Sequence, residues 1–322
     1  MHLILVISAA LAAMPFGGKL KSSEPPHSYA RQAHESRQAR KLTPPSTEAM
    51  VVTTAWLAQH LHDPHIVVIE VTDERHQVIQ SHATPGHIPG SRDLPFGLII
   101  VTRDGLDWEL PPVDSLQSVF EALGVSNSSH VIVYAPELPM AARALMTLDY
   151  LGLKHFALLN GGLEKWVAEG RPVSPFGSAN AHGHLTPHAR PEMIVTANRL
   201  STSAGLRNLA LIDTRSDVEY LGTGEHRGMP SKGHLQGARQ LQWQQLTVQN
   251  SPALLLDRAQ LASLFSARVP ARDTVVTYCW VGYRASATYF VARYLGYPVR
   301  LYDGSYQDWL RRGLPVRSGG EP

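Results

Sequence analysis

The feature that most constrains this chain is an internal repeat. Gly86-His87-Ile88-Pro89-Gly90-Ser91-Arg92 returns as Gly233-His234-Leu235-Gln236-Gly237-Ala238-Arg239. Asn160-Gly161-Gly162-Leu163-Glu164-Lys165-Trp166 returns as Asp303-Gly304-Ser305-Tyr306-Gln307-Asp308-Trp309. Ahead of each pair lies an apolar run with an acidic end, Val67-Val68-Ile69-Glu70 and Leu209-Ala210-Leu211-Ile212-Asp213. The blocks keep their order in both halves, at offsets of about 143 to 147 residues. So long a period means a duplicated domain rather than a solenoid. A chain of 322 residues has room for two domains of ordinary size, each with its own core.

Each half reads as strands alternating with helices. In the first, the patterns predict helices over 53–61, 116–123, 141–151 and 163–169, with strands over 67–71, 130–134 and 156–159. This alternation predicts an α/β fold of two tandem domains, each a parallel sheet with helices on both faces. In such sheets the sites gather at the carboxyl ends of the strands. The predicted domains span 48–173 and 193–318. Between them, residues 174–192 carry Pro175, Pro187 and Pro191, with Pro172 just before, and read as a linker.

The single cysteine lies at one of these strand ends. Val275, Val276 and Tyr278 make a short buried strand. From Arg284 onward, Ala287, Phe290, Val291 and Leu295 recur at helical spacing until Gly296 and Pro298 stop the helix. Cys279 therefore stands where loop N–H groups and a helix N-terminus converge. The helix dipole and Arg284 both favour an anion there, so the thiol is expected below its usual pKa of about 8.5. A lone cysteine is more commonly a core residue, but a core cysteine needs neither a glycine nor an arginine in a tight strand-to-helix turn.

Cys279-Trp280-Val281-Gly282-Tyr283-Arg284-Ala285-Ser286 resembles the active-site loop of the rhodanese sulfurtransferases, and the match to the two-domain members spans roughly residues 48–318. Phosphatases and arsenate reductases of related fold place the arginine six positions after the cysteine. Here Ala285 stands sixth and Arg284 fifth, a shorter loop that suits the single outer sulfur of a persulfide. Aligned through Tyr134 and Tyr278, the first-half loop is Ala135-Pro136-Glu137-Leu138-Pro139-Met140. It has no nucleophile, two prolines that remove N–H donors and a glutamate that repels anions. The resemblance thus implies an inactive first domain and a catalytic second one.

The resemblance also implies roles for other residues. Arg215, in Asp213-Thr214-Arg215, would hold an anionic donor, while Asp213 fixes the loop after its strand. Asp303-Gly304-Ser305 would close the pocket, with Ser305 also fit to cap the following helix. Trp280, Val281, Gly282 and Tyr283 complete the loop, Trp280 and Tyr283 forming or covering the rim. His87 and His234, each in a Gly-His turn, read as structural. For His87 the related mercaptopyruvate enzymes imply a second role, an approach to the cysteine across the domain interface. The implied activity is a ping-pong sulfur transfer through a Cys279 persulfide, from thiosulfate or 3-mercaptopyruvate to cyanide or a dithiol, without a cofactor. Trp280 and Val281 match neither donor class, and the charge of Arg284 favours thiosulfate. A non-enzymatic persulfide carrier is the alternative.

The other features bound the rest. A formal net charge of +2 gives no reason to expect nucleic acid or a membrane surface as partner. His60, His62 and His65, like His182, His184 and His188, lack a cysteine or carboxylate set at ligand spacing and read as solvated surface, so no metal is expected. Residues 3–13 form an apolar run of signal-peptide length with a small-residue end, though without a basic start. Export to the periplasm or medium is expected from it, with no membrane span in the mature chain. The polar, proline-dotted stretch to residue 47 reads as a tether.

Overall fold

Val131-Ile132-Val133-Tyr134 and Val275-Val276-Thr277-Tyr278 are buried without polar alternation, as strands covered on both faces must be. In a computed structural model, which describes residues 50–73, 86–178, 182–202, 206–226 and 228–322, each is a central strand of a parallel sheet. The expected leader and tether lie outside the described residues.

The first half runs β1 (Val51–Val52), α1 (Thr54–His60), β2 (Ile66–Thr72), β3 (Arg92–Pro95), β4 (Val101–Arg103), β5 (Leu106–Glu109), α2 (Val113–Ala122), β6 (His130–Tyr134), α3 (Leu138–Tyr150), β7 (Phe156–Leu159) and α4 (Gly162–Ala168). The second continues with α5 (Ala197–Leu200), β8 (Leu209–Asp213), α6 (Asp217–Leu221), β9 (Glu225–His226), β10 (Met229–Pro230), β11 (His234–Leu235), β12 (Arg239–Gln240), β13 (Thr247–Val248) and β14 (Ser251–Leu255). It closes with α7 (Arg258–Ser266), β15 (Thr274–Tyr278), α8 (Tyr283–Leu295), β16 (Val299–Leu301), α9 (Ser305–Arg311) and β17 (Val316–Arg317). The first sheet has the order β1-β7-β6-β2-β3 and the second β12-β8-β15-β16, with every pairing parallel. The correspondence is complete: Val51 pairs with Leu158, and Ile194 makes the same parallel bridge to Leu301.

The two halves share a core. In α3 every residue from Leu138 to Asp149 is buried, a pattern that requires cover all round. The cover comes from its own sheet on one side and from α8 on the other. The buried Ala285, Ala287 and Ala292 of α8 let the two helices approach closely. Fully buried leucines such as Leu145 and Leu148 each contribute about 1.5–3 kcal/mol by burial. Polar contacts edge this seam. The Tyr289 hydroxyl donates to Asp149 Oδ2 at 2.9 Å, and Arg293 Nε donates to the same oxygen at 3.0 Å.

Three features depart from the sequence reading. Helix α3 starts at Leu138, because Pro139 falls in its first turn, where a missing N–H costs nothing. The linker is strapped along the first half. Leu185 is buried, its N–H donates to Glu121 Oε1 at 2.9 Å, and the His188 and Arg190 N–H groups reach Leu151 O and Tyr150 O. The hairpin β4–β5 also had no apolar signal. Its polar tip rests on α9, where Gln307 exchanges hydrogen bonds with the backbone of Asp107 at 3.1 and 2.8 Å. No helix among the described residues is long and apolar enough to cross a membrane.

Candidate active site

Cys279 follows the last residue of β15 and is fully buried. Four residues on, the chain enters α8 through Gly282 at φ +82°. That conformation favours glycine, and space demands it as well. A Cβ there would lie 3.0 Å from both Asp303 O and Asp303 Oδ1 and 3.3 Å from Arg143 Nη1.

The loop is held from behind by α9. The Tyr306 N–H donates to Cys279 O at 3.0 Å and the Gln307 N–H to Trp280 O at 3.2 Å. The N–H groups of Trp280, Val281 and Gly282 meet no acceptor among the described residues. The Cys279 N–H itself donates to Ser305 Oγ at 3.3 Å, and the Ser305 hydroxyl donates to Tyr302 O at 2.8 Å.

Ser305 departs from its expected capping role. Gly304 occupies the cap, and Ser305 is the first helical residue, fully buried at φ +52°. Its counterpart in the first half is Gly162 at φ +53°. The duplicated backbone kept one left-handed conformation. Only the half with a cysteine fills it with a residue for which it is strained. Asp303 also reaches further than expected: Oδ1 accepts from Arg143 Nη1 and Oδ2 from the Leu110 N–H, both at 2.7 Å and both from the first half.

Arg284 lies beside the thiol. Its guanidinium is gripped by Glu219, Nη1 to Oε2 at 2.7 Å and Nη2 to Oε1 at 2.8 Å. Burial opposes its charge, but the Glu219 hydrogen bonds and the attraction of Cys279 outweigh that and raise its pKa. Burial likewise works against the Glu219 carboxylate. Arg284, His226 and Ser216 prevail and hold its pKa far below the usual range. Glu219 was legible only as the fourth residue of the capping box Ser216-Asp217-Val218-Glu219, which the structure also contains.

Trp280 packs inward. It is buried, stacked on His226 with ring centroids 4.6 Å apart and tilted against Tyr306. Val281 is half-buried. Tyr283 stands edge-on to Phe96 and Trp108 of the first half, and its hydroxyl donates to Glu137 Oε1 at 2.5 Å. The Ala135–Met140 loop of the first half thus lies against the Cys279–Arg284 loop of the second.

Two expectations are corrected. Arg215 does not face a donor: it is fully buried, bonded to both oxygens of Asp213, to Ser231 Oγ and to Gly233 O, and it stacks 3.8 Å over the Tyr306 ring. His87 is turned to its own half, its Nδ1 2.8 Å from Glu70 Oε2 and 3.4 Å from Asp93 Oδ1. The repeat explains the substitution. Tyr134 bonds Glu70 and the Ile88 N–H just as Tyr278 bonds Asp213 and the Leu235 N–H. Thr72 stands where the second half has Arg215, and the His87 ring supplies the hydrogen-bond partner that the carboxylate of Glu70 lacks from that position.

Comparison with known proteins agrees with this geometry. A family model described as a rhodanese-like domain matches twice, over residues 53–169 and 196–312. The chain is 32% identical to the sulfur carrier protein TtuD of Thermus thermophilus, over 84% of its own length and 98% of the relative's. It is 30% identical to a thiosulfate sulfurtransferase of Azotobacter vinelandii, over 81% and 93% of the two chains. The crystal structure of SseA from Escherichia coli superposes with a TM-score of 0.69 at 24% identity, covering 80% of this chain and 99% of that one.

Proposed function

Because the chain belongs to the rhodanese family, we propose that it takes a sulfane sulfur from thiosulfate onto Cys279 and passes it to a thiophilic acceptor, cyanide or a dithiol. The observation that carries this reading is the set of unfilled N–H groups of Trp280, Val281 and Gly282 in the loop that follows a buried thiol, with Arg284 beside that thiol.

The Cys279 thiolate attacks the outer sulfur of thiosulfate. The sulfur–sulfur bond of the donor breaks, sulfite leaves with the electron pair, and a cysteine persulfide anion remains. The loop N–H groups are preorganised for that terminal sulfur and lose no hydrogen bonds of their own when they take it up. The acceptor then attacks the outer sulfur, and Cys279 leaves as thiolate. With Arg215 buried, the cation that meets the donor is Arg284, its position fixed by Glu219. The relatives named thiosulfate sulfurtransferase support this donor, and one named 3-mercaptopyruvate sulfurtransferase, 28% identical, keeps the organic donor as the competing choice.

The test is intact-protein mass after thiosulfate and again after cyanide, for the wild type and Cys279→Ser. One sulfur gained, lost to cyanide and absent in the variant is the expected result. Repeating the series with 3-mercaptopyruvate ranks the donors. No added mass with either donor refutes the reading. The relative named a sulfur carrier favours a second possibility, a persulfide delivered without turnover. A mass gain with negligible steady-state thiocyanate formation would identify it.

A further inference from the structure

The repeat gives every buried polar residue of one half a matched position in the other. Aligned through Tyr134 and Tyr278, Arg143 on α3 matches Ala287 on α8. Arg143 is only 1% exposed. Its Nη1 donates to Asp303 Oδ1 and its Nη2 to Trp108 O, each at 2.7 Å, while Nε is buried without a partner. An alanine at the matched position means that the contact between the helices does not itself require a guanidinium. A hydrocarbon of similar volume would fill the seam without desolvating a charge or orphaning an N–H. The two ends of the seam differ in their neighbours: Arg143 lies against the cysteine loop, with Nη1 3.3 Å from where a Gly282 Cβ would stand.

We propose that Arg143 is a positioning residue for Cys279, the means by which the half without a nucleophile sets the geometry of the half that has one. The inference rests on the persulfide reading above. Arg143 and the Leu110 N–H hold both oxygens of Asp303. Asp303 opens the turn that forces Ser305 to φ +52° and delivers its Oγ to the Cys279 N–H. The same turn aims the Tyr306 and Gln307 N–H groups at the carbonyls of Cys279 and Trp280. Ser305 is strained, so the turn relaxes once its anchor is lost, and the loop N–H groups rotate off the sulfur. Fixing those donors is worth more to the reaction than to the stability of the seam. This accounts for a charge retained in the one half that performs no chemistry.

The experiment compares full-length wild type with Arg143→Gln, Arg143→Lys, Asp303→Asn and Tyr289→Phe. The rate of Cys279 alkylation by iodoacetamide is followed across pH, alongside thiosulfate:cyanide kinetics and urea midpoints. Arg143→Gln is expected to raise the alkylation midpoint by about one pH unit and to lower kcat about tenfold or more with the thiosulfate KM within about twofold. Arg143→Lys recovers most of both. Asp303→Asn keeps an acceptor for Leu110 but removes the charge that Arg143 holds, so it must reproduce the Gln phenotype even if Arg143→Gln does not fold. Tyr289→Phe cuts a different hydrogen bond across the seam and is expected to lower the urea midpoint while leaving the alkylation profile in place. An unchanged profile and kcat in Arg143→Gln, or in Asp303→Asn where the former does not fold, overturns the inference, as does an equal shift in Tyr289→Phe. A wild type that gains no sulfur refutes the persulfide reading instead, and the alkylation profile still judges Arg143.

Discussion

Replacing Ser305 by glycine and, separately, by alanine tests whether its backbone is strained in order to serve Cys279. Both substitutions delete the Oγ that accepts the Cys279 N–H. Leaving that buried donor unmet costs about 1–3 kcal/mol in either variant. They differ in the backbone. At φ +52° alanine keeps a left-handed penalty of roughly 1–2 kcal/mol, which glycine escapes. Glycine pays about 0.5–1 kcal/mol for its freedom in the unfolded chain. Ser305→Gly should therefore exceed Ser305→Ala in stability by roughly 0.5–1 kcal/mol. At an ordinary helix position the order is reversed, with alanine ahead by about 1 kcal/mol. Urea unfolding followed by tryptophan fluorescence gives the two midpoints at a common m-value. Gly162→Ala in the first half serves as a control. It adopts the same left-handed turn, and its new Cβ meets Ala135 O at 3.1 Å, so it too should be destabilised. An alanine variant as stable as the glycine variant would refute the reasoning.

Two further outcomes are expected. Arg215→Met leaves the buried Asp213 carboxylate without its cation, with only the Tyr278 hydroxyl and the residue-215 N–H as donors, so it should cost about 3–5 kcal/mol in urea unfolding. A variant of wild-type stability with only a raised thiosulfate KM would instead restore Arg215 to the donor site. His130 is held neutral by burial and by the neighbouring His155, its pKa lowered to about 4. The unfolded chain, with a histidine pKa near 6.5, binds the proton more readily, so this contribution is present above about pH 6.5 and is lost as pH falls toward 4. The wild type should lose up to roughly 3 kcal/mol across that window relative to His130→Phe; parallel melting curves for the two proteins between pH 7 and 4 would contradict the assignment.

The fold was legible in the sequence because a duplication states its pattern twice. Val131 to Tyr134 and Val275 to Tyr278 announce buried parallel strands, and the Gly-His turns fix the register of one half on the other. Cys279, Gly282 and Arg284 were legible for a similar reason, since a short loop between strand and helix leaves little freedom to its residues. What escaped was contact between distant segments. Nothing local in Asp213-Thr214-Arg215 says that the arginine folds back on its own aspartate beneath Tyr306. Glu219 reads as a helix cap from its spacing, and its second duty toward Arg284 depends on where α8 comes to lie. Arg143 gave no signal at all, sitting in a helix of apolar residues within the half set aside as inert. Its partners are 35 and 160 residues away in the chain.

The helix pair α3 and α8 also bears on how the molecule comes apart. A repeat invites the picture of two beads on a string, each able to open without the other. Here α3 is covered on one side by the first sheet and on the other by α8, and one cluster of buried side chains runs from Val67 to Leu301 through both halves. Pulling the halves apart would expose that apolar seam to water along its whole length, so the cost of losing one half falls on both. The duplicated chain is thereby bound into a single cooperative unit. The half without a cysteine cannot then be discarded, because the half that holds Cys279 has no closed core without it.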